Sequence, residues 1–213
     1  MVGKGVLLEC LDHAEIGEVL VIGRNLAGIQ HPKLKELIHK DFTSFSEVKS
    51  QLIGYDACFF CLGISAAGLK EEQYKRITYD FTLALAKTLF EINPQMTFNY
   101  VSGQGTDSSE KGKMMWARVK GKTENDLMKL PFKQVYNFRP AGIIPFLPLK
   151  PSQTFYKTHR YVGWLLGIMK VITPNYVIGL KDLAAAMINS SLTGYSKNIL
   201  EVKDIKNLAK ANK

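Results

Sequence analysis

Residues 97–107 read Thr97-Phe98-Asn99-Tyr100-Val101-Ser102-Gly103-Gln104-Gly105-Thr106-Asp107, a β-branched and aromatic run that enters a string of small, turn-forming residues. This pattern predicts a buried strand delivering its carboxyl end into a glycine-rich turn. Downstream, a lysine-rich helix is expected from about Lys113 to Leu130, then a strand from Gln134 to Phe138 that ends at Arg139-Pro140-Ala141-Gly142. Upstream, Glu71 to Ile92 has amphipathic helical spacing and stops before Pro94, where the residue preceding proline leaves the helical region. Before it, Ala57 to Leu62 is an apolar run closed by Gly63 and the small, flexible Ile64-Ser65-Ala66-Ala67-Gly68. Further out, Val2 to Leu11 has helical spacing, and Glu18 to Ile22 reads as a strand ended by Gly23-Arg24-Asn25. Leu34 to His39 reads as a short strand leading to Asp41, and Ser44 to Leu52 as a helix capped by Thr43 or Ser44. Strands alternating with helices imply an α/β fold with a doubly wound, mostly parallel sheet and a ligand crevice at the carboxyl ends of its strands. Gly23, Gly63, Ser102 and Arg139 all fall at those ends.

The length, 213 residues with 46% hydrophobic and 22% charged, suits one domain over residues 1–213 and excludes a disordered or fibrous chain. No apolar run reaches the roughly 18 residues of a bilayer span, so a soluble protein without stable membrane insertion is expected. Lysine and arginine outnumber aspartate and glutamate by 28 to 19, giving +9, which favours anionic partners without naming one. The basic residues are scattered, apart from the tail at 203–213, and no basic and aromatic cluster resembles a nucleic-acid-reading module, so no specific nucleic-acid partner is expected. The three cysteines form no disulfide framework and suggest a reducing compartment, with the cytoplasm as the default.

After Ile143 the pattern is broken by Pro145, Pro148 and Pro151 before helices near 161–171 and 181–191, which suggests a small substrate-side lobe over about 143–195. Residues 198–202 read as a last strand and the lysine-rich end as a solvated tail. Tyr156, His159, Arg160, Tyr161 and Trp164 form an aromatic and basic stretch whose simplest reading is an amphipathic structural helix, the alternatives being closure over an anionic substrate or a peripheral membrane contact.

Several short motifs, in order and spacing, resemble the atypical short-chain dehydrogenase/reductases, and within them the Tat-interacting oxidoreductase-like and nucleoside-diphosphate-sugar epimerase-like branches. The motifs are Met1-Val2-Gly3-Lys4-Gly5-Val6-Leu7-Leu8, Val21-Ile22-Gly23-Arg24-Asn25, Asp56 to Gly63, Tyr100-Val101-Ser102-Gly103, Val119-Lys120-Gly121-Lys122-Thr123-Glu124 and Arg139-Pro140-Ala141-Gly142. The resemblance implies a Rossmann-like NAD(P)-binding protein, an oxidoreductase or epimerase-like enzyme acting on an unidentified small molecule. It also implies a buried first strand running into a turn of the form G-x-x-G-x-x-G, of which Gly3 matches the last glycine. The sheet is therefore expected to lack its first strand, with Met1 an internal methionine or the edge of a fragment, or else a real deletion.

The resemblance also assigns roles. Arg24 stands where an acidic residue would bind an NAD ribose, so NADP is expected in preference to NAD through the 2′-phosphate; a solvated turn arginine is the plain alternative. Gly3, Asp41, Leu62, Gly63, Lys120, Arg139 and Pro140 complete the expected cofactor contacts, although Asp41 equally suits a cap and Arg139 a surface ion pair. The catalytic set is Ser102, polarising a substrate carbonyl, with Thr106 or Ser108 as substitutes, and Trp116 with Lys120. Trp116 occupies the position of the family's tyrosine four residues before lysine, and its indole is no useful acid or base. Thr78 stands where many members have asparagine. That substitution pattern keeps a second reading open, a noncatalytic dinucleotide-binding regulator. Cys58 and Cys61 have the spacing of redox motifs but lie in an apolar strand, where residues three apart face opposite sides. With His13, His31, His39 and His159 dispersed, no metal is expected.

Overall fold

A computed structural model describes residues 1–144 and 177–211. Within them α1 (Val2–Asp12) precedes β1 (Val19–Gly23) and β2 (Leu34–Ile38), which pair in parallel from Val19 opposite Leu34 to Gly23 opposite Ile38. After a 3-10 helix at Ser46–Leu52 come β3 (Ala57–Phe60), α2 (Glu71–Lys75), a π-helical turn at Arg76–Asp80, α3 (Phe81–Ile92), β4 (Thr97–Val101), α4 (Met115–Met128) and β5 (Gln134–Arg139). Short strands β6 (Gly142–Ile144) and β7 (Val177–Gly179) pair with each other, and α5 (Leu180–Leu192), β8 (Ile199–Glu201) and α6 (Val202–Leu208) follow. The main sheet runs β3-β4-β5-β8, and every ladder among the described residues is parallel. The doubly wound architecture is as the alternation of strands and helices implied.

Alternation along the strands builds a core on each face of the sheet, which is why these strands read as nearly continuous apolar runs. Phe98, Tyr100 and Val135 face Leu83, Leu85, Leu89 and Leu127 on the α3 and α4 side. Tyr136, Phe138 and Leu200 face the opposite layer, where α1, α5 and α6 contribute Val6, Cys10, Leu183, Met187 and Ile205. Gly5 of α1 makes room for α5, since a Cβ there would stand 2.5 Å from the Leu180 side chain.

Four local expectations change. The helix over 71–92 is interrupted by the π turn, and 46–52 is a 3-10 helix whose start has no side-chain cap, contrary to the capping expected from Thr43 or Ser44. The strands β6 and β7 are too short to announce themselves by periodicity. The lysine-rich end is no solvated tail through Leu208: Val202, Ile205 and Leu208 are buried while Lys203 and Lys206 point away, so one apolar stripe holds α6 against the sheet. The stretch 156–164, the expected helix near 161–171 and His159 lie outside the described residues.

No ladder joins β1 to β3. Between them lies a cleft of about 950 Å³ whose walls include Val19 to Ile22 on one side and Ala57 to Leu62 on the other, with Val6, Leu7 and Cys10 of α1 along it. The strands β1 to β5 and β8 thus form a two-stranded and a four-stranded leaf. Cys10, Cys58 and Cys61 are free thiols bordering this cleft. Burial pushes the Cys10 and Cys61 thiols up to about 12 and raises Cys58 as well, which makes all three poor thiolates at neutral pH.

Candidate active site

A second cavity, of about 750 Å³, opens at the carboxyl ends of β3, β4 and β5. The turn after β4 forms its floor with Ser102, Gly103 and Gln104, and α4 contributes Trp116 and Lys120. Leu62 to Ser65 follow β3 along one wall, Pro140 to Ile143 follow β5 along another, and Met1 and Val2 bring the first turn of α1 to the rim. Val177 of β7 also reaches it.

Glycine makes the floor geometry accessible. Gly103 has φ of 132° and Gly105 has φ of 84°, a left-handed backbone that side chains rarely adopt. A Cβ on Gly105 would stand 3.2 Å from the Trp116 ring, and one on Gly103 would stand 3.6 Å from the Lys120 Nζ. The turn is then locked by backbone bonds: Ser102 N–H donates to Phe138 O at 2.9 Å, Gln104 N–H to Pro140 O at 2.8 Å and Asp107 N–H to Ala117 O at 3.1 Å.

Trp116, Lys120 and Glu124 are four residues apart in turn and share one face of α4, so the helix carries a stripe from cavity wall to protein interior. Glu124 is fully buried. It accepts from Arg139 Nε at 3.0 Å and Nη2 in a bidentate pair and from the Ser102 hydroxyl, while Ser102 Oγ also lies 3.1 Å from Phe138 O. Arg139 further donates to Ser108 Oγ at 2.6 Å and to Glu201 at 3.3 Å. Burial opposes its charge, but these carboxylates outweigh it and raise the guanidinium pKa. The Lys120 ammonium donates to the Ser102 carbonyl. Burial depresses its pKa below the ordinary lysine range, with the Glu124 carboxylate pulling the other way.

The structure therefore brings Ser102, Lys120, Trp116, Leu62, Gly63 and Pro140 to one cavity. Gly3 lies in the first turn of α1, and a Cβ there would meet Cys61 at 3.4 Å. Arg139 is turned inward on Glu124 and lines no part of the cavity. Arg24 is exposed at the end of β1 and makes no hydrogen bond or ion pair among the described residues. Asp41, exposed beyond β2, accepts from the Thr43 amide at 2.9 Å and hydroxyl at 2.6 Å, which lowers its pKa. Thr106 donates to Gly103 O at 2.7 Å, Ser108 is held by Arg139, and Thr78 is buried in the π turn away from the cavity. Glu124 was missed as a functional residue from sequence; the signal that points to it is its position one helical step beyond Lys120. Among the described residues no group of three or more His, Cys, Asp or Glu is placed to hold a metal ion, and no helix is long and apolar enough to cross a membrane.

The residues fit a dinucleotide at the cavity. The first turn of α1 brings the positive end of its helix dipole to the strand ends, and a Cβ at Gly63 would touch nothing within 4 Å.

No family model matches the chain. It is 28% identical over 209 residues to the protein FMP52-2, mitochondrial, of Scheffersomyces stipitis, covering 91% of this chain and 86% of that protein. It is 26% identical over 144 residues to the protein HTATIP2 of Rattus norvegicus, covering 67% of this chain and 58% of that protein, a little over half the rat protein's length. Among solved structures it superimposes with TM-score 0.67 on a UDP-N-acetylglucosamine 4-epimerase from Methanobrevibacter ruminantium M1, at 13% identity, over 97% of this chain and 77% of that one. It superimposes with TM-score 0.66 on the Bordetella bronchiseptica enzyme WbmF, solved in complex with NAD+, at 15% identity, over 98% of this chain and 73% of that one. The structural likenesses establish the Rossmann-like fold, and the sequence relatives bear out the resemblance to the atypical short-chain dehydrogenase/reductases. The mitochondrial name of the FMP52 relative overturns the expectation of a cytoplasmic protein. Reduced cysteines report a redox environment, and more than one compartment provides it.

Proposed function

We propose, from the premise that this chain has the Rossmann-like fold of the epimerases and a sequence similar to the atypical short-chain dehydrogenase/reductases, that it binds NADP(H) and acts as an oxidoreductase or epimerase-like enzyme on a small carbonyl or alcohol substrate. The observation that carries this reading is the cavity at the carboxyl ends of β3, β4 and β5, where the start of α1, Gly63, Ser102, Trp116 and Lys120 converge. Gly3 and the first turn of α1 would face the pyrophosphate, Leu62, Gly63 and Pro140 the nicotinamide side, and Lys120 the ribose. Asp41 would contact the adenine side, and Arg139 acts through Glu124 by fixing the floor. The cofactor, when bound, supplies or accepts hydride. Ser102 holds Lys120 through its carbonyl and Glu124 through its hydroxyl, so its part in orienting a substrate oxygen requires that hydroxyl to turn toward the cavity. Residues at about 143–195 are assigned to the substrate side within a single domain over 1–213, a reading supported by Ile143 and Val177 on the cavity wall.

NADP(H) is preferred over NAD(H) because Arg24, at the end of β1, is an exposed cation with no ion pair among the described residues, suited to a 2′-phosphate. Calorimetry with NADPH and NADH tests this. NADPH is expected to bind at least tenfold more tightly, and Arg24→Ala to remove most of that ratio while leaving NADH affinity unchanged. Equal binding of both cofactors to the native chain would remove Arg24 from the site, and binding of neither would remove the function.

Trp116 favours a second reading, a noncatalytic regulator in which bound dinucleotide controls a partner. NADPH binding without oxidation by any member of a broad panel of aldehydes and ketones is the result expected of the regulator.

A further inference from the structure

Among the described residues the cavity's proton chemistry narrows to one side chain. Among the described lining residues, the Ser102 hydroxyl is committed to Glu124, and the Ser65 hydroxyl, which accepts from the Ala67 amide at 3.2 Å, is far too weak an acid. The Cys61 thiol is held up to about 12 by burial, and the Trp116 indole exchanges no proton near neutrality. Among the described residues no tyrosine lines the cavity, and Tyr74 and Tyr100 are buried at 2% and 1% exposure.

Lys120 is what remains, and its surroundings hold it for use. One N–H is fixed on the Ser102 carbonyl, which leaves two for the cavity. The absent side chain of Gly103 leaves the ammonium its space, since a Cβ there would sit 3.6 Å from Nζ and 3.8 Å from Pro140 O. The charged and titratable groups around it are few. Glu124 lies on its own helix and is paired with Arg139 from β5; Cys61 follows β3 in its neutral form; Met1 and Val2 of α1 bring no titratable side chain. Desolvation lowers the ammonium pKa, with the Glu124 carboxylate, itself paired with a guanidinium, pulling the other way, and a lysine so lowered gives up its proton more readily.

We propose that Lys120 is itself the proton donor and acceptor at the substrate oxygen, in the place where the resemblance implies a tyrosine. The proposal rests on the dinucleotide reading above, with reduced nicotinamide dinucleotide as the hydride source and a small aldehyde or ketone as substrate. In the reducing direction hydride adds to the carbonyl carbon and the π pair moves onto oxygen. A Lys120 N–H bond then breaks with its electron pair remaining on nitrogen, and an O–H bond forms to give the alcohol. The neutral amine regains its proton from water in the open cavity. The oxidising direction reverses each transfer, so Lys120 must then start as the amine.

Two measurements on the full chain test this. The first is competitive acetylation with acetic anhydride between pH 6 and 11, read by mass spectrometry, which reports the titration of each lysine without cofactor or turnover. Lys120 is expected to be acetylated at lower pH than the surface lysines as a group; acetylation together with them overturns the proposal. The second compares NADPH binding and carbonyl reduction in Lys120→Arg, which keeps the charge and the donor to Ser102 O but holds its proton at every working pH. Turnover at saturating NADPH is expected to fall at least 100-fold, beyond any loss of NADPH affinity that follows from the ribose contact, and Trp116→Tyr in that background to recover part of it. Retained turnover in Lys120→Arg overturns the proposal, as does a native chain that binds NADPH and reduces nothing. A native chain that binds no NADPH overturns the dinucleotide reading instead.

Discussion

Glu124→Leu is expected to destabilise the protein by about 3–5 kcal/mol, the cost of breaking a buried ion pair from one side. The carboxylate has no access to water, and the Arg139 side chain facing it is 11% exposed. Removing Glu124 leaves a guanidinium that can neither lose its proton nor reach solvent, with only Ser108 and the half-exposed Glu201 to answer it. For a chain of this size each kcal/mol moves Tm by roughly 2–4 °C, so the fall is on the order of 10 °C. Glu124→Leu combined with Arg139→Met, which removes both charges at similar volume, is expected to recover most of the loss because a buried pair is worth little over apolar packing. Urea unfolding of the two single variants and the double variant makes the comparison. A single-variant loss under about 1 kcal/mol would mean that the pair is hydrated and that the Ser102 floor is not anchored by it.

Gly121→Ala is expected to be the other severe change, at one methyl group. An alanine Cβ at this position would lie 1.7 Å from the Asp107 carbonyl oxygen and 3.1 Å from the Ser108 amide nitrogen. Neither is the end of a flexible side chain. The backbone over 107–112 is pinned, with Asp107 N–H on Ala117 O at 3.1 Å and the Asp107 carboxylate accepting from Gly112 N–H at 2.7 Å. Helix propensity would favour alanine by about 1 kcal/mol. Overpacking against fixed backbone costs about 1–3 kcal/mol or more, and a clash of this depth lies at the upper end. A net loss of about 2 kcal/mol is expected in urea unfolding, with weaker NADPH binding in calorimetry, since the loop and the helix can separate only by carrying Lys120 away from Ser102. Native stability and native cofactor affinity in Gly121→Ala would show that the loop yields freely and plays no part in setting the Lys120 position.

The strands β3, β4 and β5 were legible because burial on both faces demands apolar runs, and each run ends in glycine, serine or arginine where the chain turns toward a ligand. The face of α4 was legible at Trp116 and Lys120 through four-residue spacing. What Ser102, Glu124 and Arg139 do to one another was not: Ser102 lies 22 residues from Glu124, and Arg139 lies 15 residues beyond it. Pairings across strands and helices leave no periodic trace. Arg139 read as a phosphate contact because a cation at a strand end invites an anion, and the anion it meets is internal. The π turn at Arg76–Asp80 was hidden for a different reason, since one additional residue in a helical turn barely disturbs the apolar stripe on either side. The lysines of the last segment masked α6, whose three buried apolar residues are enough to dock two turns of helix.

The cleft between β1 and β3 changes what ligand affinity means in this molecule. Arg24 stands on one leaf of the sheet, whereas Gly63, Ser102 and Lys120 belong to the other, and no backbone ladder fastens the two. On the proposed reading, a dinucleotide reaching from Arg24 to Lys120 would bridge the two leaves. Its binding free energy would then be shared between contact and the stiffening of a seam, and a saturating ligand would raise the stability of the two-stranded leaf by mass action more than that of the four-stranded leaf, which is hydrogen-bonded from β3 to β8.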